Sequence, residues 1–455
     1  MNRIEERPYV SKIETKNTFT DKTMGVFGIV NAIVFFSFCL SSSNFAGSLV
    51  STAFQTYVWG TPCAVLLSLA LGFFLVSVGC TLLYYLFPKV MAYTNAGFML
   101  GASLFFVYTS FTERPMIPGN VFIGLLLVAV SVVFLICIVR NIEFVKAMIR
   151  VSSHVIVSNL KCMLFVYVSF MAFFVVFACI QVVCVAFGDM FGDLSLRLFD
   201  ASTIFKIVYM LLFNLVFLMT VFNAFSVFYG KMTHMHMLKK ACNDKRSVMV
   251  ESLKRTCRSF GTIFIAGLLA GIVLALEQCN DAAQRRAFRR NQDGYMLIVL
   301  SIVSVVISLI LHILHITIKE INRYCMAYNA LFGTSYTKSM KNAFADVMSK
   351  KNTKLPYLVN FMASSPAILI MNAIVFKAIG SIDMFHTGII KKYPTGHDNF
   401  WALAIGMCIS QSIIYSMISQ SVLTAIETII YTDPGLIEKA YPANSKELSM
   451  LSTQA

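Results

Sequence analysis

The chain has 455 residues, of which 58% are apolar and only 13% charged, against roughly a quarter charged in an ordinary soluble domain. That balance excludes a soluble enzyme and predicts an all-α, polytopic integral membrane protein. The net charge of +15 does not point to nucleic acid, because Lys and Arg are dispersed between apolar runs and form no single basic surface.

Residues 1–23 are polar and contain no small-residue cleavage site, so the first apolar run, from Met24, reads as an uncleaved anchor. Runs long enough to cross a hydrocarbon core, about 20 residues, fall near 24–42, 62–87, 90–111, 117–139, 162–187, 206–230, 259–277, 295–318, 356–380 and 400–428. About ten transmembrane helices are expected, in one transporter domain over 24–428 between tails 1–23 and 429–455. Ten spans with the N-terminus inside put most Lys and Arg residues on the cytoplasmic side, as the positive-inside rule requires. On that count the basic KMTHMHMLKK stretch and residues 319–354 are inner connectors, and Arg285, Arg286, Arg289 and Arg290 form a charged outer turn. The twelve cysteines are scattered singly and read as buried small hydrophobes.

Two short segments read as amphipathic helices on the cytoplasmic side. Asn141 to Leu160 places Ile142, Val145, Ile149 and Ile156 on one face, with Lys146 and Arg150 at phosphate level. After a break at Gly333, Thr337 to Met348 places Met340, Ala343, Phe344 and Val347 toward the bundle.

Several polar or small residues sit where lipid would not tolerate them without a reason. In the sixth run, Asn214 and Asn223 lie among Phe213, Phe217, Phe222 and Phe225. Such a setting suits a quaternary ammonium ion through cation–π contacts, or arises from ordinary packing in a chain with forty Phe. Gly267 and Gly271, four apart, let two helix backbones approach closely, as static packing or as a sliding contact. The ninth run is interrupted at Ser364, Ser365 and Pro366, either as a kink or as a broken helix at a binding site. The last run carries Ser412, Ser416, Gln420, Thr424 and Glu427 on one helical face, lining an aqueous cavity or bonding to neighbouring helices. Glu277 and Lys377, near run ends, are expected to snorkel to water. No P-loop, HExxH or GxSxG signature is present, so neither enzyme chemistry nor a cofactor, metal or nucleotide-driven cycle is expected.

The string running from Asn322 through Ala330, Gly333, Tyr336, Ser339, Lys341, Ala343 and Phe344 resembles the most recognisable segment of the choline transporter-like family. The stretches SFGTIFIAGLL, NIEFVKAMIRVSSHVI and TAIETIIYTDPGLIEKAYP are similar to three further pieces of that family, in the same order. The resemblance is to the fungal-type branch with a short first outer loop. It implies ten spans, cytoplasmic termini and a plasma-membrane location. It also implies facilitated or exchange transport of choline or a related small organic cation, by alternating access without ATP. The expected substrate contacts are Asn214, Phe213, Phe217, Asn223, Ser416, Gln420 and Glu427. The expected gating or packing positions are Gly267, Gly271, Pro366, Gly333 and Phe344. A reading from a different class is a non-transporting scaffold or receptor whose basic inner loops bind anionic membrane lipids or a cytoplasmic partner.

Overall fold

The computed structural model describes residues 18–41, 61–112, 118–170, 201–290, 294–345 and 397–448. Within them the chain is all-α: α1 (Lys22–Ser41), α2 (Thr61–Leu86), α3 (Pro88–Thr112), α4 (Pro118–Arg140), α5 (Ile142–Val157), α6 (Leu160–Phe170), α7 (Ala201–Cys242), α8 (Val248–Arg258), α9 (Phe260–Arg290), α10 (Gly294–Phe332), α11 (Tyr336–Ala343), α12 (His397–Thr432) and α13 (Pro434–Ala440). The predicted ninth run, with Pro366, lies outside the described residues, as does most of the fifth.

Exposed apolar side chains belt the outer helices, among them Phe105 on α3, Val130 on α4 and Ile310 on α10. Apolar surface on this scale needs lipid as its solvent. Among the described residues four helices are long and apolar enough to cross a membrane by length and composition, and the chain is a multi-pass membrane protein. Each such helix satisfies its own backbone, the condition for standing in hydrocarbon.

The centre of the bundle is α7, which packs against α9, α10 and α12. Gly267 and Gly271 of α9 face α7. A Cβ on Gly267 would run into the Thr220 side chain and backbone, and one on Gly271 would stand 2.7 Å from Val216 Cα. These positions therefore hold two backbones close together, the packing that small residues four apart permit.

With 42 residues rising 1.5 Å each, α7 extends about 63 Å, twice a hydrocarbon core of about 30 Å. Its far end is wrapped by other helices and is not the solvated inner loop expected from KMTHMHMLKK. Lys231, Thr233, His234 and His236 are all buried there. The reason is that α8 and α13 pack along it, while α5, which turns 87° from α4, lies against α2, α3 and α12 as a collar and sets His154 beside His236. The predicted amphipathic helix is present, with Val145, Ile149 and Ile156 buried, but its apolar face packs on protein.

Two further boundaries move. The chain stays helical through Arg290, so the expected charged turn is the end of α9. Likewise α10 runs to Phe332, and its last three turns, from Asn322, are almost wholly buried. Their polar groups bond within the protein: Asn322 Nδ2 donates to the Ala266 carbonyl (2.9 Å), and Tyr336 Oη donates to Asn322 Oδ1 (2.8 Å).

Gly333 ends α10 with φ 67°, the left-handed cap conformation that glycine adopts without penalty. The following α11 begins on the carboxylate of Asp21, whose Oδ2 accepts the Tyr336 backbone N–H (2.8 Å) and the Thr262 hydroxyl (2.6 Å). The residues just before α1 thereby fasten α9 and α11 together. On α11 the packed face is Tyr336, Ser339 and Ala343. Phe344, expected to pack inward, is 45% exposed, because the α-helical register ends at Ala343 and residues 344–345 continue as a wider π turn.

Candidate functional site

A cavity of about 750 Å³ opens between α7, α9, α10 and α12. Its position follows from the sequence of each wall. On α12, residues four apart advance only 40° per step around a helix of 3.6 residues per turn, so Ser412, Ser416 and Gln420 present one polar strip to the space. Gln420 Nε2 donates to Ser416 Oγ (3.3 Å). The strip then leaves the cavity. Thr424 and Glu427 are buried, with Thr424 Oγ1 bonded to the Gln420 carbonyl (2.8 Å). The five-residue stripe thus divides into three cavity residues and two packing residues.

Opposite stands α7 with Met219, Phe222, Asn223 and Ser226, a spacing of three and four that marks one face. Asn214, Phe213 and Phe217 are not on that face. Nine residues are two and a half helical turns, so Asn214 and Asn223 point in opposite directions. Phe213 is buried and stacks on Phe35 of α1 (centroids 3.8 Å apart) and on Phe217 (6.0 Å). The aromatic group singled out in the sequence splits accordingly: Phe222 lines the cavity, and Phe213, stacked on Phe217, joins α7 to Phe35 of α1.

The charged wall is α10, which brings His315, Lys319, Glu320, Asn322 and Arg323 to the cavity. Arg323 Nη1 lies 3.1 Å from Glu320 Oε2, its Nη2 donates to Tyr324 Oη (2.8 Å), and the Tyr324 hydroxyl donates to both carboxylate oxygens of Glu427 (3.1 and 3.2 Å). A continuous polar chain therefore leads from a carboxylate on the cavity surface to one that is fully buried. At the other end, Glu277 of α9 holds His312 and His315, whose Nδ1 atoms stand 3.2 and 3.0 Å from its two oxygens. Glu277 is fixed by partners on the next helix, where snorkelling to water was expected. No group of ligating side chains that could hold a metal is present among the described residues.

The sequence profile of the plasma-membrane choline transporter family matches residues 122–432, about two thirds of the chain. The chain belongs to this family. Comparison with curated proteins finds no match.

As a choline transporter family member the chain is a membrane transporter, and all four walls of the cavity lie within the matched region. Glu320, Arg323 and Tyr324 escaped the sequence reading, because residues from 319 onward were assigned to a solvated connector. The signal was present in KEINRY: Lys319 and Arg323 are four apart, and Glu320 and Arg323 three apart, the spacings that join side chains along one helical face.

Proposed function

We propose that this protein carries choline or a related organic cation by facilitated or exchange transport without ATP, the cavity opening alternately to the two sides of the membrane. The observation that carries this reading is the cavity itself. Its volume lies in the range of small-molecule sites, about 300–1,000 Å³, and it combines the Ser416 and Gln420 strip with the Glu320 carboxylate between helices of the matched region.

In this reading residues 24–428 form the transporting unit in the plasma membrane, with both tails cytoplasmic. Access from the cytoplasm is governed where α10 ends, at the Asn322–Tyr336 and Asp21–Tyr336 hydrogen bonds, and α11 moves as the gate element. The close α7–α9 contact at Gly267 and Gly271 is a surface along which the two helices slide.

The test is uptake of labelled choline by the purified protein in sealed liposomes. Uptake above empty vesicles that falls when Gln420 is replaced by Leu supports the proposal. No uptake across choline, ethanolamine and other quaternary amines overturns it.

A further inference from the structure

The described wall of the cavity is not built as a cage for a bare cation. Among its described lining residues Phe222 is the one Phe, Tyr or Trp, whereas quaternary ammonium cages use several aromatic faces. The one carboxylate among those described lining residues, Glu320, is already held by Arg323 at 3.1 Å. Lys319, one turn from Arg323 on the same helical face, adds a second positive charge at the cavity that forms no ion pair among the described residues. A cation arriving here meets Lys319 and must displace Arg323 from Glu320, leaving a partly buried guanidinium short of its carboxylate. Breaking such a pair from one side is unfavourable, because the remaining charge keeps its desolvation cost.

A solute with both signs of charge removes that cost. Its ammonium group takes Glu320, with the amide of Asn223 across the cavity, while its anionic group takes Arg323 and Lys319. Those two side chains project from positions four apart and so converge on one anion. Asn223 makes no side-chain hydrogen bond within the described protein and lines the same space. We infer that the preferred substrate is a zwitterion, an alkylated amine bearing a carboxylate or a phosphate, which exchanges ion for ion with the Glu320–Arg323 pair. This inference rests on the proposed transport function and shifts its preferred substrate from a bare cation to one whose ammonium group is accompanied by an anionic group.

The experiment measures uptake of labelled choline, glycine betaine and phosphocholine, each alone, into liposomes containing the full chain. Half-saturation by either zwitterion at about tenfold lower concentration than choline is expected, the ratio that one added charge-assisted contact confers. The stronger of the two identifies the anionic group as carboxylate or phosphate. Lys319 is exposed, so Lys319→Gln is expected to fold normally. It should raise the zwitterion half-saturation concentration about tenfold and lower that of choline, since it removes a repelling charge. Choline uptake with no preference for either zwitterion, or a preference that Lys319→Gln leaves in place, overturns this inference and leaves the transport function standing. No uptake of any of the three overturns both.

Discussion

Tyr324 on α10 and Glu427 on α12 are joined through one hydroxyl, which reaches both oxygens of a carboxylate that has no exposed surface. Removing that hydroxyl leaves a buried carboxylate short of a donor, at a cost of about 1–3 kcal/mol or more for a charged group. Tyr324→Phe is therefore expected to lower the unfolding temperature in detergent. Glu427→Gln keeps the volume but withdraws a negative charge from the neighbourhood of Arg323. It should reduce the maximal rate of uptake more than it changes half-saturation, because Glu427 lies behind the cavity wall.

Gly267 and Gly333 should both resist alanine, for different reasons that two measurements separate. At Gly267 a Cβ enters the Thr220 backbone, an overpacking that costs about 1–3 kcal/mol. At Gly333 the obstacle is the backbone angle itself, worth roughly 1–2 kcal/mol for a residue with a Cβ. Thermal unfolding should report both losses. A second-site Thr220→Ala change is expected to restore part of the first and none of the second.

Asp21 acts on α11 as a capping carboxylate supplied from outside the helix. Asp21→Ala removes the acceptor of the Tyr336 N–H and of the Thr262 hydroxyl, a loss of about 0.5–2 kcal/mol for a cap. The expected readout is faster limited proteolysis between residues 333 and 345, since local opening there no longer has to break those bonds. In vesicles of known orientation the same cleavage reports on which side α11 stands.

His154 on the α5 collar lies 2.7 Å from the Tyr441 hydroxyl, which also meets His236 Nε2 at 3.0 Å. Burial, then Lys240 and Arg150, hold the His154 imidazole below its ordinary value of 6.5. The folded state thus favours the neutral ring, and the unfolded chain takes up the proton first as pH falls. Stability from this group is complete above about 6.5 and is lost as pH drops through that value toward the folded one. The unfolding temperature should be flat from pH 8 to 7 and decline toward pH 5. The slope should be shallow, because the ring is only half buried and solvent screens it. Tyr441→Phe should lower the whole curve.

Periodicity makes much of this architecture legible in the sequence. The apolar runs of α2, α3, α4 and α9, the amphipathic α5, the glycine break before α11 and the polar face of α12 all express local repeats that a helix imposes on its own sequence. What local repeats cannot give is the identity of the facing surface. The polar ends of α7 and α10 read as water-facing because Lys231, His234, Asn322 and Tyr324 are hydrophilic, and their partners are far away in the chain. Tyr324 meets Glu427 across 103 positions, and His236 meets Tyr441 across 205. For Asn214 and Phe213 the missing information was rotational, since a cluster in sequence is not a cluster on one face.

The packing of α13 carries the core past the region that the family profile matches. Leu436, Ile437, Ala440 and Tyr441 are buried in the core, with Lys240 Nζ 3.5 Å above the Tyr441 ring, yet all four follow residue 432, where the family match ends. At the other end Asp21, which caps α11, precedes residue 122, where the match begins. A polypeptide trimmed to the matched limits would retain every described wall of the cavity and lose both of the fasteners that hold its two ends in place.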